Sequence, residues 1–186
     1  PEGRPDVFER LPRLPGSRWV AVGRLDINTS GLLLFTDDGS LAHRLMHPSG
    51  GFDREYQVRV HGEVTDATLQ RLRTGVVIDG APASFAELTR GAGEGRNQWF
   101  RVRVREGRYR MVRRLWESQD CQVSRLIRIR FGPVTLPRDL RRGDFRDLTP
   151  AQIGALTDAL PDPATESRAA TRKSGSTRSR RAVQGD

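Results

Sequence analysis

Asp26 lies in the run Gly23-Arg24-Leu25-Asp26-Ile27-Asn28-Thr29-Ser30-Gly31-Leu32-Leu33-Leu34, a polar, turn-forming stretch directly ahead of an apolar segment. A carboxylate in that setting has two uses. It can accept main-chain N–H groups and close an Asx-turn. Or it can face a cleft as a nucleophile or general acid–base, with Arg24 and a second arginine setting its ionisation. The turn residues would hold the loop and a buried strand beyond them would give it a rigid base. Local spacing leaves both uses open. Other reactive patterns are thinner. His43 and His47 stand four apart on a predicted helix, which is metal-ligand spacing, but the only further histidine is His61 and no metal site is expected. Gly91-Ala92-Gly93-Glu94-Gly95 lacks the flanking strand, helix and lysine of a phosphate loop and reads as a connector. Cys121 is the single cysteine, which excludes an internal disulfide and a cysteine zinc cage and suits a small packed side chain.

The elements that would position Asp26 follow from hydrophobic periodicity. Leu32 to Thr36 reads as a buried strand ended by Asp37-Asp38-Gly39. Residues 40–47 read as a short helix stopped by Pro48. Tyr56, Val58 and Val60 alternate with polar residues as in a half-buried strand, and Thr65-Asp66 opens a helix that runs to Gly75. Val76 to Ile78 is a short strand. Phe100, Val102 and Val104 alternate with Arg101, Arg103 and Arg105, giving one oily face and one guanidinium face. Residues 109–118 read as a helix with Val112, Leu115 and Trp116 as its apolar stripe. Arg125, Arg128 and Arg130 interleave with Leu126, Ile127 and Ile129 in the next strand. Thr149-Pro150-Ala151-Gln152 starts a last helix with a capping box. The tryptophans Trp19, Trp99 and Trp116 read as core. The predicted class is α+β, a mixed, mainly antiparallel sheet with flanking helices. Residues 1–18 form a lead-in loop, 19–160 a domain of two lobes, and 161–186 a disordered basic tail.

The net charge of +9 is concentrated: residues 96–146 carry 15 arginines against 5 acids, and Lys173 is the only lysine. Arginine clustering inside a foldable segment points to a polyanionic partner held by forked contacts to phosphate. The longest apolar run, Leu32 to Phe35, is far too short to span a membrane, and no secretory signal is legible in the first residues. The expectation is a cytoplasmic, monomeric protein that binds nucleic acid.

Gly23 to Leu34 resembles the first signature of the bacterial pseudouridine synthases that modify ribosomal RNA. The resemblance continues in Arg54-Glu55-Tyr56-Gln57-Val58, in Glu106 to Glu117 and in Val123 to Arg128, and covers about residues 18–156 in the family's order. It implies the pseudouridine synthase catalytic fold with a central RNA-binding cleft. It also implies that Asp26 breaks and remakes the glycosidic bond of a uridine, that Tyr56 stacks on the uracil and takes the last proton, and that Arg113 pairs with the aspartate. Val112 would form the floor under the base, and Arg24, Thr29, Arg110 and Arg125 would contact the RNA. The implied substrate is ribosomal RNA, most readily that of the large subunit. Met111 stands where many relatives have glutamine. Relatives commonly carry a small RNA-binding module ahead of the catalytic part; none is legible here, which leaves a partial chain or targeting by the arginine surface and tail.

Such a site is physically coherent. A stacked base must be extruded or chosen from a loop. An aromatic face and an aliphatic floor hold a flat ring, and isomerisation requires no redox cofactor, metal or nucleotide. The competing expectation is a non-catalytic RNA-binding or ribosome-assembly factor with the same fold, and the role of Asp26 separates the two.

Overall fold

The structure is a computed structural model that describes residues 7–93 and 95–161. The first six residues and, apart from Pro161, the basic tail lie outside the described residues. Within the lead-in, Val7–Arg10 make one 3-10 turn.

Three short strands follow: β1 (Val20–Ala21), β2 (Thr29–Gly31) and β3 (Phe35–Thr36). β1 and β3 pair antiparallel with each other. Helix α1 (Gly39–Met46) opens on Asp38, whose carboxylate accepts from the Ser40 and Leu41 amides at 2.8 and 3.0 Å, and it stops before Pro48. β4 (Arg54–His61) is the alternating strand that Tyr56, Val58 and Val60 predict. Thr65 caps α2 (Asp66–Thr74) through the Thr68 amide. β5 (Val76–Ile78) and β6 (Ala81–Ala83) form a hairpin over Asp79-Gly80, both at positive φ, as a two-residue primed turn requires. β7 (Glu87–Arg90), β8 (Asn97–Val104), α3 (Met111–Glu117), β9 (Gln122–Phe131) and β10 (Val134–Thr135) complete the centre. α4 (Pro150–Asp158) begins with the capping box that its sequence spells, Thr149 and Gln152 each bonding the other's amide.

The main sheet runs β10-β9-β4-β8-β7, antiparallel throughout, with β2 added parallel to β9. The class is α+β, as the pattern of strands and helices predicts. Buried side chains form two clusters. One lies between the sheet and α2 and α3 and holds Val58, Val102, Phe100, Leu126, Leu72, Leu115 and Trp116. The other gathers Val22, Leu32, Leu34, Leu45, Phe131 and Leu156. Each fully buried leucine or phenylalanine contributes about 1.5–3 kcal/mol.

Three features depart from the sequence expectations. The strand foreseen over Leu32–Thr36 is divided. β2 ends at Gly31 beside β9, and the chain then crosses to β1, where the Val22 amide donates to the Leu34 carbonyl at 2.8 Å. Leu32 and Leu34 stay buried because both partners face the second cluster. The arginine stripe of β9 is also broken. Arg128 falls on the face of Leu126 by plain alternation and is buried, only 3% accessible, while register shifts at Glu55/Tyr56 and Arg59/Val60 set Arg130 opposite Glu55 and Arg125, exposed, opposite Arg59. A two-residue period cannot foresee bulges of this kind. Finally, Trp116 is a core residue, but Trp19 and Trp99 are half-buried and belong to neither cluster.

Candidate active site

Residues 24–26 belong to neither helix nor strand, and a turn then closes through the Thr29 amide, which donates to the Asp26 main-chain carbonyl at 2.8 Å. The carboxylate of Asp26 is left out of that turn. Among the described residues it receives no hydrogen bond and joins no ion pair. The Asx-turn use that the local spacing left open is therefore not the one adopted. The side chain instead lines an open hollow of about 210 Å³ with Arg24, Ile27, Asn28, Tyr109, Arg110 and Arg113.

Arg113 is the buried wall of this hollow, with 7% of its surface accessible. Its guanidinium donates to the Asn28 carbonyl at 2.7 Å and to the Val123 carbonyl at 2.9 Å. It thus ties the Asp26 turn to β9 and α3 at once. Burial makes this guanidinium somewhat easier to deprotonate, and the nearby charge of Arg110 acts the same way; the charge of Asp26 opposes both. Arg113 and Asp26 therefore interact through space across the hollow, with no direct ion pair, because both donor arms of Arg113 are taken by carbonyls. Arg110 sits at positive φ just ahead of α3, and its guanidinium reaches Glu117 at 3.4 Å. Arg24 is exposed on the rim.

Four of the residues singled out in the sequence, Arg24, Asp26, Arg110 and Arg113, thus meet in one place. The others do not line the hollow. Tyr56 is half-buried on β4, opposite Val102 and Arg128, and packs against the first cluster. Val112 is buried in that cluster. Thr29 begins β2 opposite Leu126, with its hydroxyl buried and unpartnered. Arg125 lies on the exposed sheet face. Tyr109, 68% exposed, and Asn28 belong to the hollow but were not foreseen. An aromatic residue wedged between Arg108 and Arg110 was the available signal for Tyr109.

Other candidates resolve simply. His43 and His47 are exposed, and the His47 Nδ1 is engaged by Ser49 at 2.8 Å. No group of three or more His, Cys, Asp or Glu among the described residues could hold a metal ion. Cys121 is buried, 3.7 Å from the Glu63 carbonyl oxygen. Among the described residues no helix is long and apolar enough to cross a membrane.

The RNA pseudouridylate synthase family model matches residues 4–118. The chain belongs to the RNA pseudouridylate synthase family. Among curated relatives it is 58% identical over 164 residues to the ribosomal large subunit pseudouridine synthase B of Pasteurella multocida, covering 88% of this chain and 48% of that protein. It is 55% identical over 174 residues to the synonymous protein of Escherichia coli strain K12, covering 93% and 60% respectively. The chain thus spans about half to three-fifths of the length of these relatives. A crystal structure of a pseudouridylate synthase superposes with a TM-score of 0.70 at 28% identity, over 82% of this chain and 65% of that one. In the pseudouridylate synthase match, the Asp26 turn, β4 and all of α3 fall inside the matched span, whereas β9, which Arg113 grips through Val123, lies beyond it.

Proposed function

We propose that this protein isomerises a uridine of ribosomal RNA, in the large subunit, to pseudouridine, with Asp26 as the catalytic group. The observation that carries this reading is the Asp26 carboxylate itself: unpartnered, half-buried and facing a hollow walled by three arginines, in a chain of the pseudouridylate synthase family. A carboxylate that accepts no hydrogen bond keeps its lone pairs for substrate. Nucleophilic attack requires the carboxylate form of this side chain. Asp26 starts cleavage of the bond between C1′ and N1. The freed uracil turns and rejoins through C5, and the C5 proton is lost as N1 regains one. No atom is gained and no electron carrier is consumed.

The arginines play distinct parts. Arg24 and Arg110, toward solvent, suit phosphates of an extruded nucleotide. Arg113 fixes the loop and supplies charge. Tyr109 offers an aromatic edge at the mouth of the hollow. Tyr56 and Val112, which pack against and within the first cluster, are the residues that the family resemblance assigns to the base. The working unit is a cytoplasmic monomer acting on mature or assembling rRNA. The identity of the long relatives as large-subunit enzymes supports the choice of RNA.

The test is Asp26→Asn. Large-subunit RNA from cells lacking the gene is incubated with wild type or variant, and pseudouridine is tagged chemically and read by primer extension. The variant should give no signal while its RNA affinity stays within about threefold of wild type. Equal signal from both proteins would remove Asp26 from the mechanism. Absence of signal from wild type, with tight RNA binding retained, would favour the assembly-factor reading.

A further inference from the structure

The arginine-rich face of the sheet does not offer all its charge to a ligand. Arg101 and Arg130 both reach Glu55, at 3.2 and 2.9 Å. Arg103 reaches Asp53 and Glu87, and Arg105 reaches Asp53. These rows are internally neutralised. One row further along β4 the pattern changes. Arg59 stands directly between Trp99 of β8 and Arg125 of β9. Both arginines are exposed, and among the described residues neither has an acidic partner.

Like charges placed opposite each other on neighbouring strands repel and weaken the pairing. Here the register is adjusted to bring them together. Val60 pairs with Val123, so an unbroken ladder would set Ser124 against Arg59 and turn Arg125 into the core. The bulge inserts Ser124 as the extra residue, its hydroxyl donates to the Arg59 carbonyl at 3.1 Å, and Arg125 emerges opposite Arg59. Trp99 completes the row with a half-buried ring outside both hydrophobic clusters. Two unpaired forked cations beside a half-buried aromatic ring on the sheet suit a nucleic-acid strand, the guanidiniums meeting phosphate and the ring meeting a base.

This row is not part of the hollow. α3, which carries Arg113, packs with Val58, Val102 and Leu126 on the other face of the sheet. Only β2 intervenes: the residues just before it, Asp26 to Asn28, line the hollow, and β2 is the neighbour of the strand that carries Arg125. A strand leaving the hollow over this edge arrives at Arg125.

We propose that Trp99, Arg59 and Arg125 form a second RNA-contact site, on the sheet face away from α3, that takes single-stranded RNA adjoining the modified nucleotide. The site rests on the reading of RNA as substrate, but not on the chemistry assigned to Asp26. Its occupant is a phosphodiester backbone with one base laid on Trp99. The two arginines hold position and the ring tolerates any base, so the site lengthens the footprint and lends no sequence preference.

The experiment uses fluorescence anisotropy with two labelled RNAs, a stem-loop with one loop uridine and the same stem-loop extended by about ten unpaired nucleotides on each side. The double variant Arg59→Gln/Arg125→Gln should lose roughly tenfold in affinity for the extended RNA, its salt slope should fall by about 1.4 (two single-strand phosphate contacts), and the loss on the bare stem-loop should be much smaller. Trp99→Leu should show the same preference for the extended RNA with the salt slope unchanged. The double variant should melt no lower than wild type, since a repulsion is removed; a purely structural role for these arginines predicts a lower melting temperature. Unchanged affinity for the extended RNA, or an equal loss on both RNAs, overturns the proposal. Conversion of uridine is followed in the same samples with wild-type protein. If RNA binds and no pseudouridine forms, the catalytic reading fails while the comparison of the two RNAs still decides the second site.

Discussion

Arg113 and Arg128 peg the two ends of one short strand. Arg113 donates to the Asn28 carbonyl at 2.7 Å, and Arg128, through Nε, donates to the Leu32 carbonyl at 2.7 Å. Between those carbonyls lies β2, and the turn that carries Asp26 leads directly into it. The Leu32 amide in turn donates to the Arg128 carbonyl at 2.8 Å, so residue 128 holds Leu32 by both its main chain and its side chain. Both guanidiniums are buried, and neither is neutralised by a carboxylate within salt-bridge distance among the described residues. Buried cations held only by carbonyl oxygens are costly to assemble, and one terminal nitrogen of Arg128 has no hydrogen-bond partner. Their arrangement is consistent with a strand whose position matters more than its stability.

Loosening the Arg128 end should therefore disturb the site from a distance. Arg128→Met leaves the Leu32 carbonyl without its side-chain donor, and the folded state should lose about 1–3 kcal/mol in urea unfolding. Gly31→Ala attacks the same clamp from the strand side. Gly31 has φ +107°, and an added methyl would lie 2.6 Å from the Arg128 amide nitrogen and closer still to its carbonyl oxygen. That substitution should cost roughly 3 kcal/mol. In both variants kcat should fall by more than KM rises. A variant that unfolds more easily and yet turns over at the wild-type rate would show that β2 does not position Asp26.

Arg113→Lys tests whether charge alone suffices at the other end. Lysine keeps the positive charge but lacks the planar fork that serves the Asn28 and Val123 carbonyls together. Turnover should drop by about 10- to 100-fold with RNA affinity changed by less than about threefold. Loss of affinity with turnover per bound complex unchanged would make Arg113 a phosphate contact.

Cys121 gives a prediction in pH. Burial pushes its thiol above the ordinary value, and the charge of Asp120 adds to the effect. The folded protein therefore holds this proton more tightly than the unfolded chain. The stability so gained is present in full below the unfolded thiol value, about 8.5, and is lost as pH rises toward the folded value. The urea midpoint should fall between pH 7 and pH 9.5 in the wild type, and Cys121→Ala should flatten that fall. An identical decline in the two proteins would place its origin elsewhere. At neutral pH an alkylating reagent should label Cys121 only as the chain unfolds.

Much of this molecule is written in neighbouring residues. The Asp38 and Thr65 caps, the capping box at Thr149, the Asp79-Gly80 turn and the alternation in β4 and β8 are short-range patterns, because capping, turn geometry and a two-residue period act over a few positions. The run around Asp26 was also legible, both as a turn and as a family signature. Which use the carboxylate takes was not. That depends on Arg113 meeting Asn28 across 85 positions and on Arg128 meeting Leu32 across 96. The same holds for the arginines of the sheet. Composition announces a basic surface, yet only strand register decides that Glu55 quenches Arg101 and Arg130, that one bulge sets Arg130 opposite Glu55, and that another leaves Arg59 and Arg125 facing each other unpaired. Charge is a property of a residue, whereas its availability is set by what the folded chain places beside it.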